Sequence, residues 1–317
     1  MYRTILPIYL AFAITIEAQH TTADAATINV DTVLGSNHPY PNETIIVSDG
    51  DNPPTHLAVV DAAIIGGIPG QSSQDVGIDA FGSSVVNMLG GFVLGVKPVL
   101  LHDQAVLRMR GGEIHLVEAT DTSRVVVDDG IWGGVRAYDS SRVRVHGGNE
   151  NGIYGVSTFG QAHAAISPTD FLHLDFYAHD SSTMLITGGS FEGAEAMDNA
   201  RVLLNGGSFV TGVRVKENAV LDVRYIRSIV GEWLDIRDSA VVNIYGTDLR
   251  LDVTQDDQPI VLGKWANGEN LGVRYYLFDQ GQIILHEVPE PTTGALLAIA
   301  AAAAGILPYR RAHRARR

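Results

Sequence analysis

The 317-residue sequence contains no cysteine, which removes disulfide scaffolds, thiol catalysis and Cys-zinc sites from consideration. Lysine is almost missing too, occurring only as Lys97, Lys216 and Lys264. Charged residues make up 18% of the chain, a poor composition for a helical bundle. The formal charge of −14 argues against a nucleic-acid partner, because such binders carry a basic face. What is present is 34 glycines and a 45% apolar fraction, the profile of turn-rich β structure with a core rather than of a disordered chain. On length alone the chain suits two domains or one all-β solenoid.

Internal repetition decides between them. The segment from Asp180 to Phe191 (DSSTMLITGGSF) is followed by a near copy from Asp198 to Phe209 (DNARVLLNGGSF). The shared template is an acid, a small residue two positions on, apolar residues four and six on, and Gly-Gly eight on. It recurs with coil starts at 58, 82, 103, 121, 139, 160, 180, 198, 217 and 238. The third position is nearly always small (Ser84, Ala105, Ser123, Ser141), and the fifth and seventh are apolar (Leu107 and Met109, Val125 and Val127, Val143 and Val145). Polar residues such as Arg124, Arg142, Arg144 and Asp222 alternate with these, the period-2 signature of a half-buried strand. The Gly-Gly pairs permit the positive φ of a corner.

A repeat of this length cannot bury its apolar face alone and must stack on its neighbours. The expected fold is therefore all-β: a parallel β-helix or solenoid of about ten coils of 18–24 residues, with like side chains in columns about 4.8 Å apart. The preference for right-handed parallel crossovers favours a right-handed helix. The expected boundaries are 26–57 as an irregular N-terminal cap rich in Pro, Asn and Asp, 58–250 as the solenoid, and 251–288 as C-terminal cap strands.

The two ends read differently. Residues 1–25 have one early cation (Arg3), an apolar run from Ile5 to Ile16 and an A-x-A pattern at Ala23-Asp24-Ala25, the features of a secretory signal. At the other end Pro289-Glu290-Pro291 precedes an apolar run from Thr292 to Leu307, and Arg310, Arg311, Arg314, Arg316 and Arg317 follow. As a helix the run is about 24 Å long, slightly short of a hydrocarbon core of about 30 Å, with the arginines holding its end on the cytoplasmic side. Setting aside the six cations and three acids of these two segments leaves sixteen Lys and Arg against thirty-three Asp and Glu, so residues 26–288 carry −17.

In order and kind, these C-terminal elements resemble the PEP-CTERM sorting signal of exopolysaccharide-producing Gram-negative bacteria. The resemblance covers 289–317. It implies a transmembrane helix that anchors the chain temporarily, processing near the Pro-Glu-Pro motif by the membrane protease-transpeptidase exosortase, and delivery to the cell surface or extracellular matrix.

Three groups of residues bear on chemistry. Asp103, Asp121, Asp139, Asp180, Asp198, Glu217 and Asp238 occupy one corner, either as Asx-turn formers or as a calcium column without the nonapeptide pattern. Arg108, Arg110, Arg124, Arg142 and Arg144 come from three successive coils and project outward, either as a salt-bridged solvated face or as a surface for anionic polysaccharide. Asp128-Asp129, Glu192 with Glu195, and Asp235 with Asp238 are acid pairs, but no recognisable catalytic motif contains them. Trp132, Trp233 and Trp265 read as sugar platforms or as core. No phosphate loop, dinucleotide fingerprint or nucleophile elbow appears, so no cofactor is expected. The expected molecule is an exported, non-enzymatic solenoid with a structural or adhesive role among exopolysaccharide. The alternative is a polysaccharide lyase or glycoside hydrolase on the same scaffold.

Overall fold

The computed structural model describes residues 25–28, 31–35, 44–49, 54–60, 64–65, 77–93, 97–167, 175–229 and 234–288. Every regular element among them is a β-strand. The chain is an all-β parallel solenoid that makes about eight turns between corners at Gly82 and Asp238. Each turn contributes a rung to two main stacks. In the first, Arg124 pairs with Arg142, Arg142 with His163, His163 with Thr183 and Thr183 with Arg201, all parallel and in register. In the second, Val117 pairs with Val135, Val135 with Val156, and Val156 with Phe176. A short third stack, with Trp132 opposite Ile114 and Phe191 opposite Phe209, closes the cross-section.

The inward columns are as the repeat requires. Ala105, Leu107 and Met109 are buried, as are their counterparts in the other coils, among them Ser141, Val143 and Val145, and Ala240, Val242 and Ile244. The small third position follows from the turn itself. At each corner its N–H donates to the carbonyl of the residue three before it, as Ala105 does to His102 and Ala200 to Met197, so its Cβ sits inside a tight bend. The core also holds Phe176, Phe191 and Phe209, with ring centroids 4.7 Å and then 5.4 Å apart. Trp132 is fully buried and Trp265 is 3% exposed, so both serve the core; Trp233 lies outside the described residues.

Three expectations are corrected. The coil start at 58 is out of register: Leu57 pairs with Val86 and Val59 with Met88, so these residues occupy the fifth and seventh columns, and Ile64, expected in the seventh, pairs with Phe92; Ala62 lies outside the described residues. Leu57 and Val86 are 29 residues apart, against 18–21 for the same column in the coils from Val86 to Val242, and the template slid along this longer turn. The described parts of 26–57 are parallel rungs, with Ala25–Ile28 on Thr44–Val47 and Thr32–Leu34 on His56–Val59, rather than an irregular cover. The turn that starts at Asp238 does not close until Asp279. Between them Val241–Val253, Pro259–Lys264 and Asn270–Leu277 form an antiparallel sheet, and the chain then rejoins both stacks, Leu277 on Ile236 and Gln282–Glu287 on the start of Val241–Val253. Residues 251–288 therefore contain an antiparallel sheet, packed on the core through Val261, Trp265 and Val273, and also the last rungs.

Candidate functional site

The acidic column is a backbone-capping ladder. Asp103, Asp121, Asp139, Asp180, Asp198, Glu217, Asp238 and Asp279 all have φ between 56° and 60°, a left-handed conformation that Asp tolerates better than most side chains. The carboxylates from Asp103 to Asp238 turn to the coil before them. Asp121 accepts the N–H of Asp103 at 3.0 Å, Asp198 that of Asp180 at 2.9 Å, and Asp238 that of Glu217 at 3.1 Å. The Asp103 N–H bond holds the Asp121 carboxyl below the usual range, and the Asp180 N–H does the same for Asp198. Glu217 shifts upward because its carboxyl abuts that of Asp198. The bonds run between coils, where the sequence suggested turns closed within a coil. Among the described residues no group of three or more His, Asp or Glu is placed to hold a metal ion.

One residue before the corner position, stacked rings form a second ladder in several coils. Phe81 stacks on His102 with centroids 4.6 Å apart, and Tyr138, Phe159 and His179 stack at 4.9 and 4.7 Å. Sequence reading missed this column, although its position, one residue before each template start, is fixed and was available.

The outer faces of the two main stacks contrast electrostatically. On the second, charges alternate and pair: Lys97 with Asp79 at 2.6 Å, Arg136 with Glu118 at 3.0 Å, Lys216 with Glu195 at 2.5 Å, and both Arg214 and Arg237 with Asp235 at 3.1 and 2.8 Å. Burial alone would raise the Asp235 carboxyl, but hydrogen bonds from Arg237 and Arg214 hold it down. On the first stack Arg108, Arg110, Arg124, Arg142 and Arg144 are all exposed. Arg124 and Arg142 are direct partners, and Arg108 and Arg144 flank Val126. Arg110 alone of the five has an ion pair among the described residues, 3.7 Å to Asp128. A bulge makes Asp129, not Asp128, the backbone partner of Arg110. Arg201, unremarked in the sequence, continues the Arg124 column.

The second face also carries a cavity of about 220 Å³, lined by Asp175, Tyr177, Glu195, Arg214 and Asp235. Its floor is open because Gly193 has no side chain; a Cβ there would approach Thr211 Oγ1 to 2.9 Å. Burial, and then the charge of Glu192, push the Asp175 carboxyl up, and the Tyr177 hydroxyl donates to it at 3.3 Å. Of the acid pairs singled out in the sequence, Glu195 and Asp235 reach this site, whereas Asp238 serves the corner ladder.

Pro289, Glu290, Pro291, the apolar run and Arg310, Arg311, Arg314, Arg316 and Arg317 lie outside the described residues, as does the N-terminal signal up to residue 24. Comparison of the chain with protein-family models, curated proteins and solved structures finds no match.

Proposed function

We propose that the protein is an exported, non-enzymatic solenoid with a structural or adhesive role among exopolysaccharide, and that the arginine face is its polysaccharide contact. The observation that carries this reading is the contrast between the faces. An acidic chain neutralises one outer face pair by pair yet leaves Arg108, Arg124, Arg142 and Arg144 without ion pairs among the described residues on the other. Planar guanidinium groups stacked about 4.8 Å apart suit carboxylates presented along a polymer. The fold by itself assigns no activity.

The route to the surface rests on the C-terminal resemblance. In this reading the solenoid is right-handed, the helix at 292–307 holds the chain in the inner membrane with its arginines in the cytoplasm, and exosortase processes the chain near Pro289-Glu290-Pro291. The mature body then resides at the surface or in the matrix of a Gram-negative cell. Intact-mass analysis of the native protein after cell fractionation tests it. Loss of both terminal segments and recovery outside the inner membrane is the expected result; an uncleaved C-terminus in the inner membrane overturns it.

The cavity on the second face favours a second reading, a glycoside hydrolase or polysaccharide lyase. Asp175, raised by burial, would be the acid there and the ion-paired Glu195 or Asp235 the ionised partner. New reducing or unsaturated ends released from acidic polysaccharides, and lost in Asp175→Asn, would establish it in place of the first reading.

A further inference from the structure

We infer that the outer face of the first stack carries, beside the arginine columns, a seat for acidic sugars that bear methyl or acyl groups. The inference rests on the polysaccharide reading above and adds the chemical class of the glycan. Ala165, Leu185 and Leu203 are direct partners on successive rungs and form an outward strip bounded by Arg144 before them and Asp222 after them. Outward positions of a solvated sheet are ordinarily polar. Here three consecutive rungs are aliphatic, half-buried, and open onto a shallow depression of about 450 Å³.

The flanks of the strip are polar and differ. On one side the neighbouring column runs Arg142, His163, Thr183, Arg201, with the His163 ring bonded to the Thr183 hydroxyl. Neither arginine has an ion pair among the described residues, and three rungs separate them by about 14 Å. Asp222 stands at the far end of the strip, opposite Leu203, and its carboxylate is turned to the following coil, where it accepts from Asn243 Nδ2 at 2.9 Å and the Tyr245 hydroxyl at 3.3 Å. A ligand lying along the solenoid axis thus meets cations in one column and methyl groups in the next.

Charge complementarity selects an anion, and the strip selects what the anion carries. Leucine offers no π face, so the strip lacks the aromatic platform on which an unsubstituted sugar ring stacks. It offers dispersion contact and dehydration to a methyl group, whether part of an O-acetyl ester or of a deoxy sugar. The occupant is therefore a segment of acidic glycan substituted with such groups, held at its carboxylates by Arg142 and Arg201.

The test measures binding of the full chain to an O-acetylated polyuronate and to the same preparation after alkaline de-O-acetylation. The expected affinity loss on de-acetylation is about fourfold for each methyl group seated. Leu185→Thr with Leu203→Thr, both outward and β-compatible, should abolish that difference with the thermal midpoint unchanged, while Arg142→Gln with Arg201→Gln should weaken both preparations alike. Equal binding of the two preparations, lost in the arginine variant, overturns this inference and leaves the polysaccharide reading standing. Absence of binding by both preparations overturns both. A leucine variant that still prefers the acetylated form overturns the placement at this strip.

Discussion

The carboxylate of Asp121 accepts the backbone N–H of Asp103, one coil before it, at 3.0 Å, and both residues sit in the left-handed region at φ near 57°. One side chain thus does two things. It tolerates a backbone conformation that most residues avoid, and it satisfies a donor on the neighbouring coil that faces away from the sheet ladders. Repeated at the corners from Gly82 to Asp121 and from Gly160 to Glu217, this contact ties successive turns together independently of the core.

Substitution of Asp121 separates the two contributions. Asp121→Asn keeps an acceptor and a tolerance for positive φ, and should lower stability by no more than about 0.5 kcal/mol. Asp121→Ala loses the bond and adds backbone strain, for an expected cost of about 1–3 kcal/mol. Asp121→Gly loses only the bond and should fall between them. Urea titrations of the three variants check the order.

Acid should act through the same ladder. Asp121 and Asp198 have folded-state values below the ordinary aspartate range, so the stability they contribute is fully present above about pH 4 and is lost as the pH falls through their lowered values. Asp175 and Glu217 are raised and act with the opposite sign. Their contribution is present below the ordinary value and disappears as the pH rises through the elevated one. Unfolding followed from about pH 2 to 7 should therefore show a steep acid limb below pH 4, and Asp121→Asn should flatten that limb. An unchanged limb in the variant would contradict the ladder.

Gly112 turns the chain at φ 81°, and a Cβ there would come within 2.6 Å of the Gly90 carbonyl oxygen in the preceding coil. Gly112→Ala combines positive-φ strain with a backbone clash and should cost at least about 2 kcal/mol. A thermal midpoint equal to that of the parent would show that the coils can separate at this corner.

Much of this architecture was legible in the sequence because a solenoid repeats its solution. The fifth and seventh columns from Val86 to Ile244 name the buried side chains directly, since each rung meets the same neighbours. The stacking of Arg124 on Arg142 followed from the same register. Legibility failed where the repeat is stretched. Leu57 and Val59 were misplaced because their turn is longer than the coils from Val86 to Val242, and the antiparallel Pro259–Lys264 strand has no counterpart among the described residues of the other coils. The destination of the corner carboxylates was also hidden. A periodic acid shows where a charge recurs but not whether it bonds within its own turn or to the next. The cavity around Asp175 brings together residues from successive coils at the same outward columns, yet their types differ from rung to rung, so no repeated signal marks it.

The arginine face should carry a stability cost. Like charges directly opposite each other on adjacent strands are destabilising by a few tenths of a kcal/mol, so Arg124→Gln should leave the protein equally stable or slightly more stable while weakening polyanion binding. Denaturation at low ionic strength, where screening is least, is the sensitive comparison. A clear loss of stability would mean that Arg124 is held by a partner and is not free for a ligand.

The most direct test of the arginine face is equilibrium binding of the full chain to a polyuronate at low and physiological salt, alongside Arg124→Gln with Arg142→Gln and, as a control on the opposite face, Arg136→Gln. The expected result is salt-sensitive binding that weakens roughly tenfold in the double variant and little in the control. Binding that is absent, or that the control substitution reduces as much as the double variant, would contradict the role assigned to this face.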